Sequence, residues 1–304
     1  MEHTGAEGGR AGGETALIYV LDAEFLRPLK VLQYSLHVHG SFAGCPIIVV
    51  TNDPVVRDDR FIRSIARDIE FMDDDHLRKF STIRGDRIPT GLSTSFAPKF
   101  TFLKLAIFRP RGFYRHVFID ADMLCLNPVD EATLYAPQEF KAVREFGAGV
   151  FPIGAEPRPD GYPQTAFDYV DEYGEAVVTK IEGINSGFVC LQGRSISDDL
   201  MEQAIEIGSR KSFPNEQSLT TQIVRDRGFS YMRLPIWFNA RRRLFASLGE
   251  DFFSAVRTKI MLMHYTPGKA WKMQRQGLRS WDRVWFDYED RGTEWINDVA
   301  SRMV

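Results

Sequence analysis

Apolar and polar positions alternate between two periods along the first half of the chain. ALIYVLD (Ala16 to Asp22) reads as a short strand, followed by helical spacing from Phe25 to His39 that stops at Gly40. PIIVVTND (Pro46 to Asp53) repeats the cue, with Asp53 placed as an N-cap and Pro54 at the first helical position, where its missing N–H costs nothing. DIEFMD (Asp68 to Asp73) predicts a third strand and HVFID (His116 to Asp120) a further one. Continuous apolar strands separated by helices predict a parallel sheet covered on both faces, hence an α/β fold. Later in the chain, INSGFVCL (Ile184 to Leu191) and KIMLMH (Lys259 to His264) predict strands, FSYMRLP places Tyr231 in another, and PNEQSLTTQIV (Pro214 to Val224) starts a helix with Asn215 as N-cap.

Two segments have unusual apolar distributions. FAPKFTFLKLAIF (residues 96–108) is apolar around most of a helix, so Lys99 and Lys104 need a route to solvent or an anionic partner. At the other end, Trp281, Val284, Trp285 and Tyr288 recur at helical spacing, as do Trp295, Val299 and Met303. Residues 281–304 carry six acids against three arginines, which predicts a helix packed on the domain and not a tether to an anionic membrane. The expected organisation is a polar, glycine-rich, disordered tail over residues 1–14, one domain over residues 15–280 and an amphipathic helical segment over residues 281–304.

Composition narrows the functional classes. Apolar residues make up 44% of the 304 residues and charged residues 26%, ordinary values for a folded globular protein. The net charge of −3 gives no uniform positive field, so no nucleic-acid partner is expected. Cys45, Cys125 and Cys190 are scattered through apolar runs without CxxC spacing, which predicts reduced core thiols and a cytoplasmic location. No apolar stretch reaches the roughly 18 residues of a membrane span, and the amino terminus lacks a signal-peptide core.

The chemistry gathers where the strand HVFID runs into Ala121 and Asp122. Asp120 and Asp122, at i and i+2 as a strand runs out, project together at the carboxyl edge of a parallel sheet, where ligands of open α/β sheets bind. Such hard oxygen ligands suit Mg²⁺ or Mn²⁺. Taken alone the tripeptide is common by chance and reads first as a strand end and turn. Context raises it: INSG offers small polar residues for close approach, His264 ends an apolar strand, and a glycine-containing turn after it supplies Lys269.

These segments, in this order, resemble glycosyltransferase family 8, the glycogenin-like retaining enzymes of GT-A fold. The carriers are FLKLAIF with Lys104 sixteen residues before the first acid, VFIDAD, INSG, the NEQ helix start and H-Y-T-P-G-K-A-W, spread over residues 16–272. The resemblance implies a single GT-A-type, Rossmann-like domain with a mostly parallel sheet that transfers a hexose from a UDP-sugar, UDP-glucose or UDP-galactose, to a hydroxyl acceptor with retention. It implies that Asp120, Asp122 and His264 bind Mn²⁺, with Mg²⁺ the alternative. Lys104 and Lys269 would meet nucleotide and diphosphate, Gly268 would let the backbone approach the phosphates, and Asn185, Glu216 and Gln217 would face the sugars. Asp120 would also lie near the donor ribose, Ala121 would be among the donor-binding residues, and Val20, Leu21, Asp22 and Phe25 would lie near the base.

Three departures from the family pattern stand out. The closing motif is one residue shorter, with Pro267 before Gly268 and Ala270 where the family has proline; Glu216-Gln217 replaces an Asp-Gln pair; and the Asp122-to-Asn185 stretch is longer than in glycogenin, with an acceptor-side loop expected within Arg144 to Glu182. The stretch Phe238 to Phe253 contains no tyrosine to serve as a self-priming acceptor, which predicts a separate carbohydrate, lipid-linked or small-molecule acceptor. Two other classes remain in view: a haloacid-dehalogenase-type phosphatase, which also uses a strand-borne DxD, and a non-catalytic sugar-nucleotide-binding module. Against the phosphatase stand the distance of the motif from the amino terminus and the absence of a strong downstream acidic pair.

Overall fold

A computed structural model describes residues 14–84, 101–145 and 173–302. Eight strands form the main sheet: β1 (Thr15–Val20), β2 (Ile47–Thr51), β3 (Ala66–Phe71), β4 (Arg115–Ile119), β6 (Phe140–Arg144), β7 (Val177–Val178), β8 (Ile184–Gln192) and β9 (Tyr231–Leu234). Their order is β3-β2-β1-β4-β8-β6-β9-β7. A separate three-stranded sheet, β10-β11-β5, joins β5 (Met123–Cys125), β10 (Ala240–Arg241) and β11 (Leu262–His264).

The alternation expected of a strand buried on both faces is realised on β1. Ala16, Ile18 and Val20 enter one core with Phe102, Leu105 and Phe108, while Leu17, Tyr19 and Leu21 enter another with Leu29, Leu32 and Leu36 of the helix Leu26–Val38. Asp53 caps its helix by accepting the Val55 N–H at 2.8 Å, with Pro54 at the first position. The helix Ser280–Ser301 packs beside Leu26–Val38: His37 stacks on Trp295 at 4.9 Å between ring centroids and His39 Nε2 lies 2.7 Å from the Tyr288 hydroxyl. A third apolar cluster lies beneath it, with Trp285 fully buried among Leu244, Phe245 and Tyr265.

The sheet is mostly parallel, as expected, with the Ile184 strand, β8, antiparallel to both β4 and β6. Three differences from the sequence expectations are physical. Of the helix expected over residues 96–108, residues 96–100 lie outside the described residues, and Phe102–Phe108 is a 3₁₀ helix wedged against the sheet, with Lys104 leaving it toward Asp120. The Lys259 strand is shorter than expected, because Arg257–Lys259 forms a tight turn first. β3 is an edge strand, half-exposed along its length. Residues 1–13 of the expected tail, residues 146–172 of the expected acceptor loop and Met303 lie outside the described residues. No helix of the described residues is long and apolar enough to cross a membrane.

Candidate active site

Strand direction brings the site together. β4 points its carboxyl end at the ligand edge of the sheet, and antiparallel β8 brings its amino end to the same place: the Asp120 N–H donates to the Gly187 carbonyl at 2.8 Å. In the small sheet, β11 pairs antiparallel with β5, placing His264 opposite Met123, and the Tyr265 N–H donates to the Asp122 carbonyl at 3.0 Å. β10 runs parallel to β11 and sets Arg241 level with His264. Parts of the chain well over a hundred residues apart thus meet at one corner.

Asp120, Asp122 and His264 are all buried, and one ligand atom from each lies within 4.8 Å of the others. His264 Nε2 is 3.2 Å from Asp122 and 3.6 Å from Asp120. Lys104 Nζ is 2.7 Å from Asp120 and 3.5 Å from Glu216, and Lys269 Nζ contacts Asp122. Lys269, expected to meet the diphosphate, rests here on a protein carboxylate: buried acids demand compensating charge, and the two lysines provide it. Burial pushes the Asp122 carboxyl up, but His264 and Lys269 together outweigh it and hold the group well below the usual carboxylate range. At Asp120 burial wins, aided by the like charge of Asp122, and its carboxyl is raised despite Lys104. Burial pushes the Lys104 ammonium down, but Asp120 and Glu216 outweigh it and hold the group above its ordinary value.

Two carboxylates and an imidazole are a donor set suited to a divalent ion such as Mn²⁺, with its taste for oxygen and tolerance of one nitrogen. The residues fit: three buried donors converge, and each carries an outer hydrogen-bond or ionic partner.

On the other wall, Asn215 caps the helix Glu216–Asp226 by accepting the Ser218 N–H at 2.9 Å. The cap leaves the first turn facing the cavity. Glu216 accepts from the Ser186 hydroxyl at 2.9 Å, and the Gln217 Oε1 accepts from the Ser186 N–H at 3.0 Å. Glu216 is thus more than a first-turn acid answering the helix dipole, since its carboxylate turns inward to a lysine and a serine.

The cavity between these walls has a volume of about 340 Å³. Among the residues singled out from sequence, Val20, Phe25, Lys104, Asp120, Ala121, Asp122, Asn185, Glu216, Gln217, His264 and Lys269 line it. Leu21, Asp22 and Gly268 do not. The Leu21 side chain is fully buried in the core beside Leu29, and the Asp22 carboxylate turns back to cap the Glu24 N–H at 2.9 Å. Gly268 packs on Arg242: a Cβ there would stand 2.6 Å from the guanidinium, whose other edge holds the buried Asp282 at 2.5 and 2.8 Å.

Sequence reading missed Asn239 and Glu145. Asn239, 3% exposed, bonds His264 Nδ1 at 2.8 Å, and Glu145 takes Asn185 Nδ2 at 2.5 Å and Arg241 at 2.8 Å. The available signal was an amide inside the apolar run IWFNA, since a polar side chain there must find a partner. Glu145 carried none, standing next to residues that look like loop.

No family model matches this chain, and no curated protein matches it. Solved structures do. The glycosyltransferase GlyE of Streptococcus pneumoniae TIGR4, without ligand, superposes with a TM-score of 0.53 at 14% identity over 94% of this chain, which spans 64% of the GlyE chain. The galactosyltransferase LgtC, in complex with donor and acceptor sugar analogues, gives 0.55 at 14% identity, covering 91% of this chain and 95% of its own. The bifunctional glycosyltransferase WbbM gives 0.55 at 15% identity over 91% of this chain and 52% of its own. The shared architecture is that of GT-A glycosyltransferases, and this chain has that fold.

Proposed function

We propose that this protein is a metal-dependent retaining glycosyltransferase that moves a hexose from a UDP-sugar, UDP-glucose or UDP-galactose, to a hydroxyl on a separate acceptor. The observation that carries the reading is the convergence of Asp120, Asp122 and His264 in one cavity with Lys104 and Lys269, at the carboxyl edge of β4 on a fold shared with glycosyltransferases. LgtC, a galactosyltransferase whose structure holds donor and acceptor sugar analogues, supports galactose among the two sugars. Three free thiols suit a reducing, cytoplasmic compartment.

Asp120, Asp122 and His264 would hold Mn²⁺ or Mg²⁺. When bound, the ion supplies charge neutralisation for the departing diphosphate. The chain's own groups do the rest. Lys104 and Lys269 bring fixed positive charge to the leaving group in a largely buried site, where each charge acts with more force than in water. Glu216 and Gln217, steadied by Ser186, face the sugar and orient it. Val20 and Phe25 offer apolar surface to the base. Retention at the anomeric carbon and same-face attack are what the family resemblance implies.

The test is UDP release from a panel of UDP-sugars with Mn²⁺, run beside a phosphatase assay on a generic phosphomonoester. Sugar-dependent UDP release in Mn²⁺ that stops in chelator supports the transferase. Phosphate release with no UDP release moves the protein to the phosphatase class, and UDP binding without turnover in any acceptor extract leaves a binding module.

A further inference from the structure

A line of buried amides runs behind the metal-ligand cluster, and its polarity can be read from a donor whose hydrogen is certain. The backbone N–H of Gly187 meets one end of the Asn185 amide at 2.9 Å, so that end is Oδ1. The other end, Nδ2, then donates to the Glu145 carboxylate at 2.5 Å, and Glu145 is braced in turn by Arg241 at 2.8 Å. Asn185 Oδ1 also meets the Asn239 amide at 2.6 Å, so the arriving group is Nδ2 and Asn239 presents its oxygen to His264 Nδ1 at 2.8 Å. An amide oxygen only accepts, so Nδ1 carries a hydrogen. Nε2 is left facing Asp122 and Asp120.

The packing allows little else. Asn185, Asn239 and His264 are 5%, 3% and 4% exposed. A Cβ at Gly187 would stand 2.7 Å from His264 Cε1 and 2.9 Å from Asn239 Nδ2, so only glycine leaves room for the imidazole and amide to lie against β8.

We propose that Asn239 is a positioning residue that holds His264 in its Nδ1–H form and keeps Nε2 turned to the two acids, with Asn185 and Glu145 orienting Asn239 from behind. The proposal rests on the metal reading above. It also moves Asn185 from the sugar side, where the family resemblance puts it, to the support of the imidazole, because both ends of its amide are taken by protein groups. Partners that orient a metal-binding histidine typically contribute about 10- to 100-fold in metal affinity.

The experiment measures Mn²⁺ affinity of the full chain without donor, by the electron paramagnetic resonance signal of free Mn²⁺, for wild type, Asn239→Leu, His264→Ala and the double variant. Asn239→Leu is expected to weaken binding about 10- to 100-fold alone and by less than about threefold in the His264→Ala background. Thermal melts verify folding, and Asn239→Ser replaces the leucine variant if that one does not fold. Equal affinity in wild type and the Asn239 variant overturns the relay and leaves the metal reading intact, as does an equal loss in both backgrounds. Failure of the wild type to bind Mn²⁺ overturns the metal reading and the relay with it.

Discussion

At the amino end of β4, Arg115 and His116 are buried, with Gln192 on the adjacent β8 and Lys141 one strand further on β6; at its carboxyl end, Asp120 and Asp122 are buried beside His264 and Glu216. Apart from Gln192, whose side-chain oxygen also accepts from Arg194 at 2.9 Å, the amino-end groups are answered by neutral partners. Arg115 donates to the Leu134 carbonyl at 3.0 Å and lies over Tyr114 and Tyr135, Lys141 donates to the Gln138 carbonyl at 2.6 Å, Gln192 to that of Pro137 at 2.9 Å, and His116 Nδ1 meets the Ile107 carbonyl at 3.1 Å. The carboxyl-end groups answer one another, acid to lysine and acid to imidazole, around a cavity. Buried charge alone therefore marks no site. Charged side chains that converge on each other beside open space do.

The sharpest way to break this contrast is to remove one acid. Asp122→Ala is expected to cut Mn²⁺-dependent UDP binding at least about 100-fold, since the cluster loses a ligand and its geometry together. Titration calorimetry checks this, and full metal-dependent binding in the variant would erase the functional half of the comparison.

Lys269→Ala should come next, with about a 100-fold fall in kcat/KM from the loss of a charge acting on the leaving group. Because the ammonium rests on Asp122 and is a quarter exposed, chemical denaturation should show a stability loss of only about 1–2 kcal/mol. An unchanged rate would make Lys269 a structural counter-ion, like the groups at the other end of the strand.

The amino end should respond to pH and not to substrate. Burial pushes the His116 imidazole down to about 4, opposed by its hydrogen bond to the Ile107 carbonyl, with Arg111 lowering it and Glu70 raising it to lesser extents. The unfolded chain, with an ordinary histidine, takes up its proton first as pH falls, so this group is silent above about pH 6.5 and destabilises the fold progressively from there down to about 4, by about 3 kcal/mol in all. His116→Gln should lose that acid sensitivity while keeping wild-type turnover at pH 7. Denaturation midpoints that track the wild type from pH 7 to 4.5 would contradict it.

The smallest effects are two expected blanks. The helix Ser280–Ser301 turns Trp281, Trp285 and Tyr288 into the protein, so flotation with anionic liposomes should recover no bound protein. Intact mass after incubation with UDP-glucose or UDP-galactose and Mn²⁺ should show no ladder of hexoses: Tyr231 and Tyr265 are buried, their hydroxyls donating to the carbonyls of Ala142 and Trp281.

Much of this was legible in the chain itself, for reasons that also explain the gaps. β1, β2, β4 and β8 announce themselves because strands buried on both faces are continuous apolar runs. The reversal of β8 was not legible, since an apolar run carries no direction. Nor was β5, three residues long and meaningful only through its pairing with β11. Asp120, Asp122 and His264 stand at strand ends, where pattern changes abruptly. Gly187 read as room for a ligand; the neighbour it makes room for is His264.

The pairing of β11 with β5 also sets an order of assembly during synthesis. Lys269 and Asp122 are 147 residues apart, so a ribosome delivers the acids long before the groups that balance them. The strands up to β4 can collapse early, with Asp120 facing Lys104 sixteen residues behind it, whereas Asp122 must wait for His264 and Lys269. A nascent chain stalled before β11 would hold a half-neutralised acidic corner, and the site would come into being only as the last strand docks.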